Sequence, residues 1–187
     1  MKQAIAGVTP SQSEEVTSMV VWPSICSTGL GRTLGRLYSI KIGFSVLTIG
    51  NLIALASIPL AAVLYFFRLA PSIFGLTPHG VTYRLTNRRV LEQRNEIRGS
   101  SEGLLPKFVF GAETRSVQLD RFDNVKIEVR PGQAWFHAGD LVYYQGEVET
   151  FRLPGICRPD VFAVCCMKAR DSYVGVQQAL DRETIAS

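Results

Sequence analysis

Between Lys41 and Arg68 the sequence has no Asp, Glu, Lys or Arg: 26 consecutive positions, Ile42 to Phe67, carry no ionic side chain. Charge is scarce overall, at 19% of residues, against ~25% in ordinary soluble domains. The shortfall is concentrated in this stretch. A helix of that length, at ~1.5 Å per residue, covers the ~30 Å hydrocarbon core of a bilayer with room to tilt. The competing reading, a buried helix of a soluble protein, asks for a polar face that these residues hardly supply.

Histidine is nearly missing. His79 lies between Pro78 and Gly80, with no Cys or His at metal spacing. His137 sits in AWFHAGD, three residues before Asp140. A pairing of His137 with Cys157, or with Asp140 and a serine, can be written down, but no nucleophile elbow surrounds it. The expectation is therefore no catalytic residue, no metal and no cofactor. Cysteine is limited to Cys26, Cys157, Cys165 and Cys166. The adjacent pair is a poor start for a disulfide framework in a chain this long. All four are read as reduced and mostly buried, with the helical phase setting Cys165 against the core. Residues 1–19 contain Pro10, Glu14 and Glu15 and lack the apolar core of a signal peptide. Gly29, Gly31 and Gly35 are not spaced as G-x-G-x-x-G, which excludes a dinucleotide-type phosphate loop.

The net charge of +4 is unevenly spread. Residues 1–76 hold Lys2, Arg32, Arg36, Lys41 and Arg68 against Glu14 and Glu15; the remainder is close to balance. Positive charge thus flanks the apolar run, where anionic headgroups would meet it. A nucleic-acid binder would more often concentrate it on the polar domain. Residues 1–18 are polar and expected to stay disordered. VVWPS (20–24) is extended, since Pro23 turns Trp22 away from helix. GLGRTLGRLYSIK (29–41) suits a short interfacial helix whose Arg32 and Arg36, with Lys41 beyond, reach for phosphates. The apolar run then allows two forms. One is a single tilted span kinked at Pro59, which length favours. The other is a hairpin turning at Gly50-Asn51 or at Ser57-Ile58-Pro59, which places Arg32, Arg36, Lys41 and Arg68 on one side, as the positive-inside rule prefers.

LAPSIFGLTPHG (69–80) reads as a connector. VTYRLT (81–86) alternates, with Val81, Tyr83 and Leu85 on one face and Thr82, Arg84 and Thr86 on the other. Asn87 suits an Asx-type turn, and VLEQRNEI (90–97) returns. GSSEG (99–103) is a loop. SVQL (116–119), NVKIEV (124–129), DLVYYQ (140–145) and VETFRL (148–153) are further strands, and alternation sends one of Tyr143 and Tyr144 outward. From Pro159 onward, Phe162, Cys165/Cys166, Ala169, Tyr173, Val176 and Leu180 recur at helical spacing, with Asp160 favourable in the first turn.

YRLTNRRV, SVQLDRFDNVKIEV, AGDLVYY, FRLPGICRPDVF and the terminal helix together resemble the bacterial pleckstrin-homology family, and more closely its membrane-associated, YdbS-like branch. The resemblance covers residues 20–182. It implies an α+β fold: a barrel of about seven antiparallel strands capped by a C-terminal helix, preceded by a transmembrane helix or helical hairpin. FVFGA (108–112) and QAWFHA (133–138) are candidates for the seventh strand. The expected layout is a disordered N-terminus (1–19), an interfacial and transmembrane region (20–76) and the barrel (77–187). The expected role is a non-enzymatic adaptor, assembly or scaffold factor on the cytoplasmic face of a bacterial inner membrane. Its partners would be the bilayer and another membrane-associated protein, with homo-oligomers allowed and nucleic acid excluded. The alternative is an anionic-headgroup module using Arg84, Arg88 and Arg89 of the first hairpin, although Glu92 and Glu96 lie close by. Arg32, Arg36, Lys41 and Arg68 are the expected membrane-interface residues.

Overall fold

The computed structural model describes residues 15–44, 47–73, 76, 79–99 and 105–185. β1 (Thr17–Val21) opens the first sheet, before any helix. After the inserted helices, β5 (Val81–Thr86), β6 (Arg89–Arg98) and β7 (Lys107–Gln118) follow as an antiparallel meander. β1 pairs with β5, Val21 opposite Tyr83 and Val20 opposite Arg84. Thr17–Met19 therefore lie in a sheet, although the polar N-terminal stretch was expected to be disordered; the pairing with β5 supplies the backbone partners that order them. Residues 1–14 are outside the described residues, as is most of the GSSEG loop.

A second antiparallel sheet holds β8 (Asn124–Glu128), β9 (Ala138–Gln145) and β10 (Val148–Cys157) in the order β10-β9-β8. The two sheets face each other across one core. Val81, Tyr83, Leu85, Val90 and Val117 come from the first, Leu141, Tyr143, Phe151, Leu153 and Ile156 from the second. The alternation read from VTYRLT holds from Val81 to Leu85, and Thr86 at the strand's end is buried as well. Tyr143 is buried and Tyr144 turns outward under the Lys126 ammonium group. The sheets are linked at their ends: Ser24 N–H donates to Gly155 O (2.7 Å), and Tyr83 Oη–H to Pro154 O (2.9 Å). Among the described residues neither sheet closes on itself, so the arrangement is two opposed sheets where a closed barrel was expected. Helix α4 (Pro159–Ile185) covers the open side with its first turns, burying Phe162, Ala163 and Cys166. Cys166, not Cys165, is the cysteine fully inside; Cys165 packs at the margin. Cys26 is also buried, and Cys157 is exposed.

Several sequence expectations change in detail. SVQ (116–118) and FVFGA belong to one long strand, β7, so FVFGA supplies no separate seventh strand. QAWFHA forms a single 3-10 turn, Ala134–Phe136, before β9 begins. The strand added to the first sheet beyond those read from the polar region is β1, from ahead of the helices. The hairpin turn at 86–89 is held by the Thr86 hydroxyl, which accepts from the backbone N–H groups of Arg88 and Arg89. Asn87 instead exchanges bonds with the backbone of Val16.

Between β1 and β5 lies the apolar insertion. Helix α1 (Gly29–Tyr38) is capped by the Thr28 hydroxyl on Gly31 N–H. A two-residue ribbon, β2 (Gly43–Phe44) with β3 (Leu47–Thr48), leads into α2 (Ile49–Ala56), and α3 (Ile58–Leu69) follows. The axes of α2 and α3 differ by 60°. The expected span is not one continuous helix: among the described residues no single helix is long and apolar enough to cross a bilayer, although α2 and α3 together reach that length and composition as a bent pair. The break falls at Ser57-Ile58-Pro59. Pro59 has no N–H and its ring opposes the carbonyl four residues back, while Ser57 Oγ–H turns back to Ile53 O (2.7 Å). α3 returns to the sheet through β4 (Ser72–Ile73), which lies parallel to β6 beyond the end of β5.

Candidate membrane-facing site

The α2–α3 pair presents its apolar side chains outward. None of α3 is buried, and Leu55 and Phe66 are 67% and 71% exposed. Only a narrow stripe, Ile53, Ala54, Ser57, Ala61, Leu64 and Arg68, is partly covered, at the spacing of one helical face. Burying a Leu or Phe side chain is worth roughly 1.5–3 kcal/mol, so a surface of this composition is costly in water and favoured in lipid.

The elbow is pinned to the domain. Tyr38 Oη and Ser57 Oγ are 2.5 Å apart, and Gly50 N–H donates to Ile40 O (3.1 Å). The rings of Tyr38 and Trp135 meet edge to face at 4.7 Å, and Phe136 joins them. Between this aromatic group and Ala54, Leu55, Ile58 and Ala61 runs an open cleft of about 390 Å³. α1 fits the domain through glycine: a Cβ on Gly35 would meet Gly132 O at 2.0 Å, and one on Gly31 would meet Ile25 O at 2.0 Å. The glycines of GLGRTLG therefore serve close packing.

Of the expected interface residues, Lys41 is exposed, and Arg36 is exposed with its Nε–H on Pro131 O (3.4 Å). Arg32 is half-buried. Arg68 is half-buried too and lies within electrostatic reach of Tyr83 and Glu92, so it points toward the domain. Of the hairpin arginines, Arg88 and Arg89 both lie within electrostatic reach of Glu15. Arg89 is clamped by Glu15 through two bonds of 2.9 Å, and by Glu113 at 2.9 Å. The Glu15 carboxyl is held below the usual range, first by that bond. Arg84 stands on the opposite face of β5 from Tyr83, half-buried beside Leu91. Arg88 sits in the turn.

The chain matches no family model, no curated protein and no solved structure.

The two buried carboxylates, Asp140 and Glu92, each sit in a network of their own. Asp140 is fully buried in β9. Its Oδ1 accepts from Gln133 Nε2–H (2.5 Å) and Gly155 N–H (2.9 Å), and its Oδ2 faces Arg130 at 2.9 Å and Arg152 at 3.7 Å. His137, which the sequence placed near Asp140, is not among these partners; it occupies a left-handed turn at φ 48°. Glu92, 3% exposed, is held by Arg94 at 3.0 Å and by Arg115. Sequence reading missed both networks. The A-G-D-L-V string carried the only signal for the first: a charged residue inside an apolar strand must find a partner.

Proposed function

We propose that this protein is a membrane-anchored, non-enzymatic module with a pleckstrin-homology-like fold, held against the cytoplasmic face of a bacterial membrane and acting there as an adaptor or assembly factor. One observation carries the membrane reading: α2 and α3 expose their large apolar residues instead of burying them, the reverse of a core helix. Opposed antiparallel sheets with a C-terminal helix over the open side support the fold reading. Partner binding follows from anchoring, because confinement to a surface raises local concentration and lets weak contacts suffice. The non-enzymatic reading draws on Asp140 and Glu92, whose carboxylates are engaged by arginines and backbone.

Ultracentrifugation of lysed, expressing cells tests the anchor. The full-length chain should sediment with membranes, resist a high-salt wash and be released by detergent; a chain that stays in the supernatant overturns the proposal. Cross-linking in membranes followed by affinity capture tests the adaptor role, which fails if no protein is recovered reproducibly. Salt extraction also separates the headgroup alternative. Attachment through Arg84, Arg88 and Arg89 would weaken steeply with ionic strength, whereas apolar insertion would not.

A further inference from the structure

We infer that the anchor is monotopic: α2 and α3 lie along one leaflet, and the chain enters and leaves the bilayer on the same side. This rests on the membrane reading above. The argument is topological. β1 precedes the apolar run, β5 follows it, and the two are hydrogen-bonded neighbours in one sheet. A chain whose two flanks share a sheet crosses a bilayer an even number of times. Two crossings need about 40 residues, and the uncharged run has 26. No crossing remains.

The contacts fix where the segment goes instead. It meets the end of α1, itself packed on the domain at Gly132, at its start, where Gly50 N–H meets Ile40 O (3.1 Å), and at its elbow, where Ser57 Oγ meets Tyr38 Oη (2.5 Å). It touches again at its end, where Gly80 N–H donates to Arg68 O (3.0 Å). Helical lengths of roughly 10 and 17 Å separate these points, so no part strays far from the folded domain. The half-buried stripe through Ser57 and Ala61 faces inward, and Leu52, Leu60, Val63 and Phe66 face away. Such a pair behaves as an interfacial helix, sunk ~5–10 Å into the headgroup and acyl boundary. The partner this surface fits is a lipid leaflet. Trp135, exposed beside the elbow cleft, belongs at headgroup depth, where amphipathic rings are favoured.

The wild-type chain carries its own reporters. Lys41 precedes the apolar run; Lys107 and Lys126 follow it, and all three are exposed. Sealed membrane vesicles of each orientation are treated with a membrane-impermeant amine reagent, and modified peptides are read by mass spectrometry against detergent-permeabilised vesicles. Lys41, Lys107 and Lys126 should react together in one orientation and be protected together in the other. Reaction of Lys41 from one side and Lys107 from the other overturns the inference while leaving the membrane reading intact. Absence of the protein from the vesicles overturns both. Ile42→Cys and Leu76→Cys, each in a Cys157→Ser background, repeat the test with an impermeant maleimide at positions 65% and 82% exposed; labelling from opposite sides again sinks it.

Discussion

Asp140 and Glu92 are the carboxylates that the fold removes from water among the described residues. Removing one member of a buried pair leaves its partners uncompensated, at ~3–5 kcal/mol when all are inaccessible. Arg130 is partly exposed and can resolvate, but the Gly155 N–H and the Gln133 amide cannot. Asp140→Ala should therefore cost about 3 kcal/mol, and Asp140→Asn less, since an amide oxygen still accepts from Gly155. Denaturant titration of both variants checks the order. Cys166 gives a pH signature. Burial pushes its thiol up to about 12 from an ordinary 9.0, and burial also raises the Tyr143 hydroxyl beside it. Below pH 9 the thiol is protonated in folded and unfolded chains alike, and its contribution is fully present. As pH rises from about 9 towards 12, the unfolded chain loses that proton and the folded one does not, so stability falls. The unfolding midpoint should drop between roughly pH 9 and pH 12, and drop less steeply in Cys166→Ala.

At the scale of elements, α1 shows what glycine does in this fold. Gly29 has open space where a methyl group would go, whereas a Cβ on Gly31 or Gly35 would meet a carbonyl oxygen at 2.0 Å. Gly29→Ala should be neutral or slightly stabilising. Gly31→Ala and Gly35→Ala should each lose about 1–3 kcal/mol by forcing the helix off the domain, read as a falling melting temperature with Trp135 fluorescence as reporter. The strands of the β domain were legible in the sequence because period-two alternation reports a half-buried strand locally, as in Val81, Tyr83 and Leu85. The apolar run was legible for the same reason: absence of charge is local. What joins distant elements was not. VVWPS reads only as extended, and nothing in it says that Val21 will lie opposite Tyr83. The clamp on Arg89 was hidden likewise, because Glu15 is 74 residues away in sequence. Pro59 marked the break but not its 60° angle, and nothing local said that Tyr38 would reach Ser57.

The whole molecule is a β domain whose first two paired strands are separated by an apolar detour, and its behaviour depends on which face of that detour is changed. Leu52, Leu60 and Phe66 are exposed and absent from the core between the sheets. Replacing all three with Glu leaves that core untouched, so the circular-dichroism spectrum and melting temperature of the detergent-purified protein should stay close to wild type. The same change places three carboxylates where a leaflet would have to take them, at up to about 3 kcal/mol each at full depth and less near the interface. Even at a third of that figure, the sum of about 3 kcal/mol lowers membrane partitioning by roughly a hundredfold. The triple variant should therefore move from the membrane pellet to the supernatant as a folded protein. Leu64→Glu, on the half-buried stripe, should instead lower the melting temperature. If the triple variant sediments with membranes as wild type does, the outward face of α2 and α3 is not what holds the protein there.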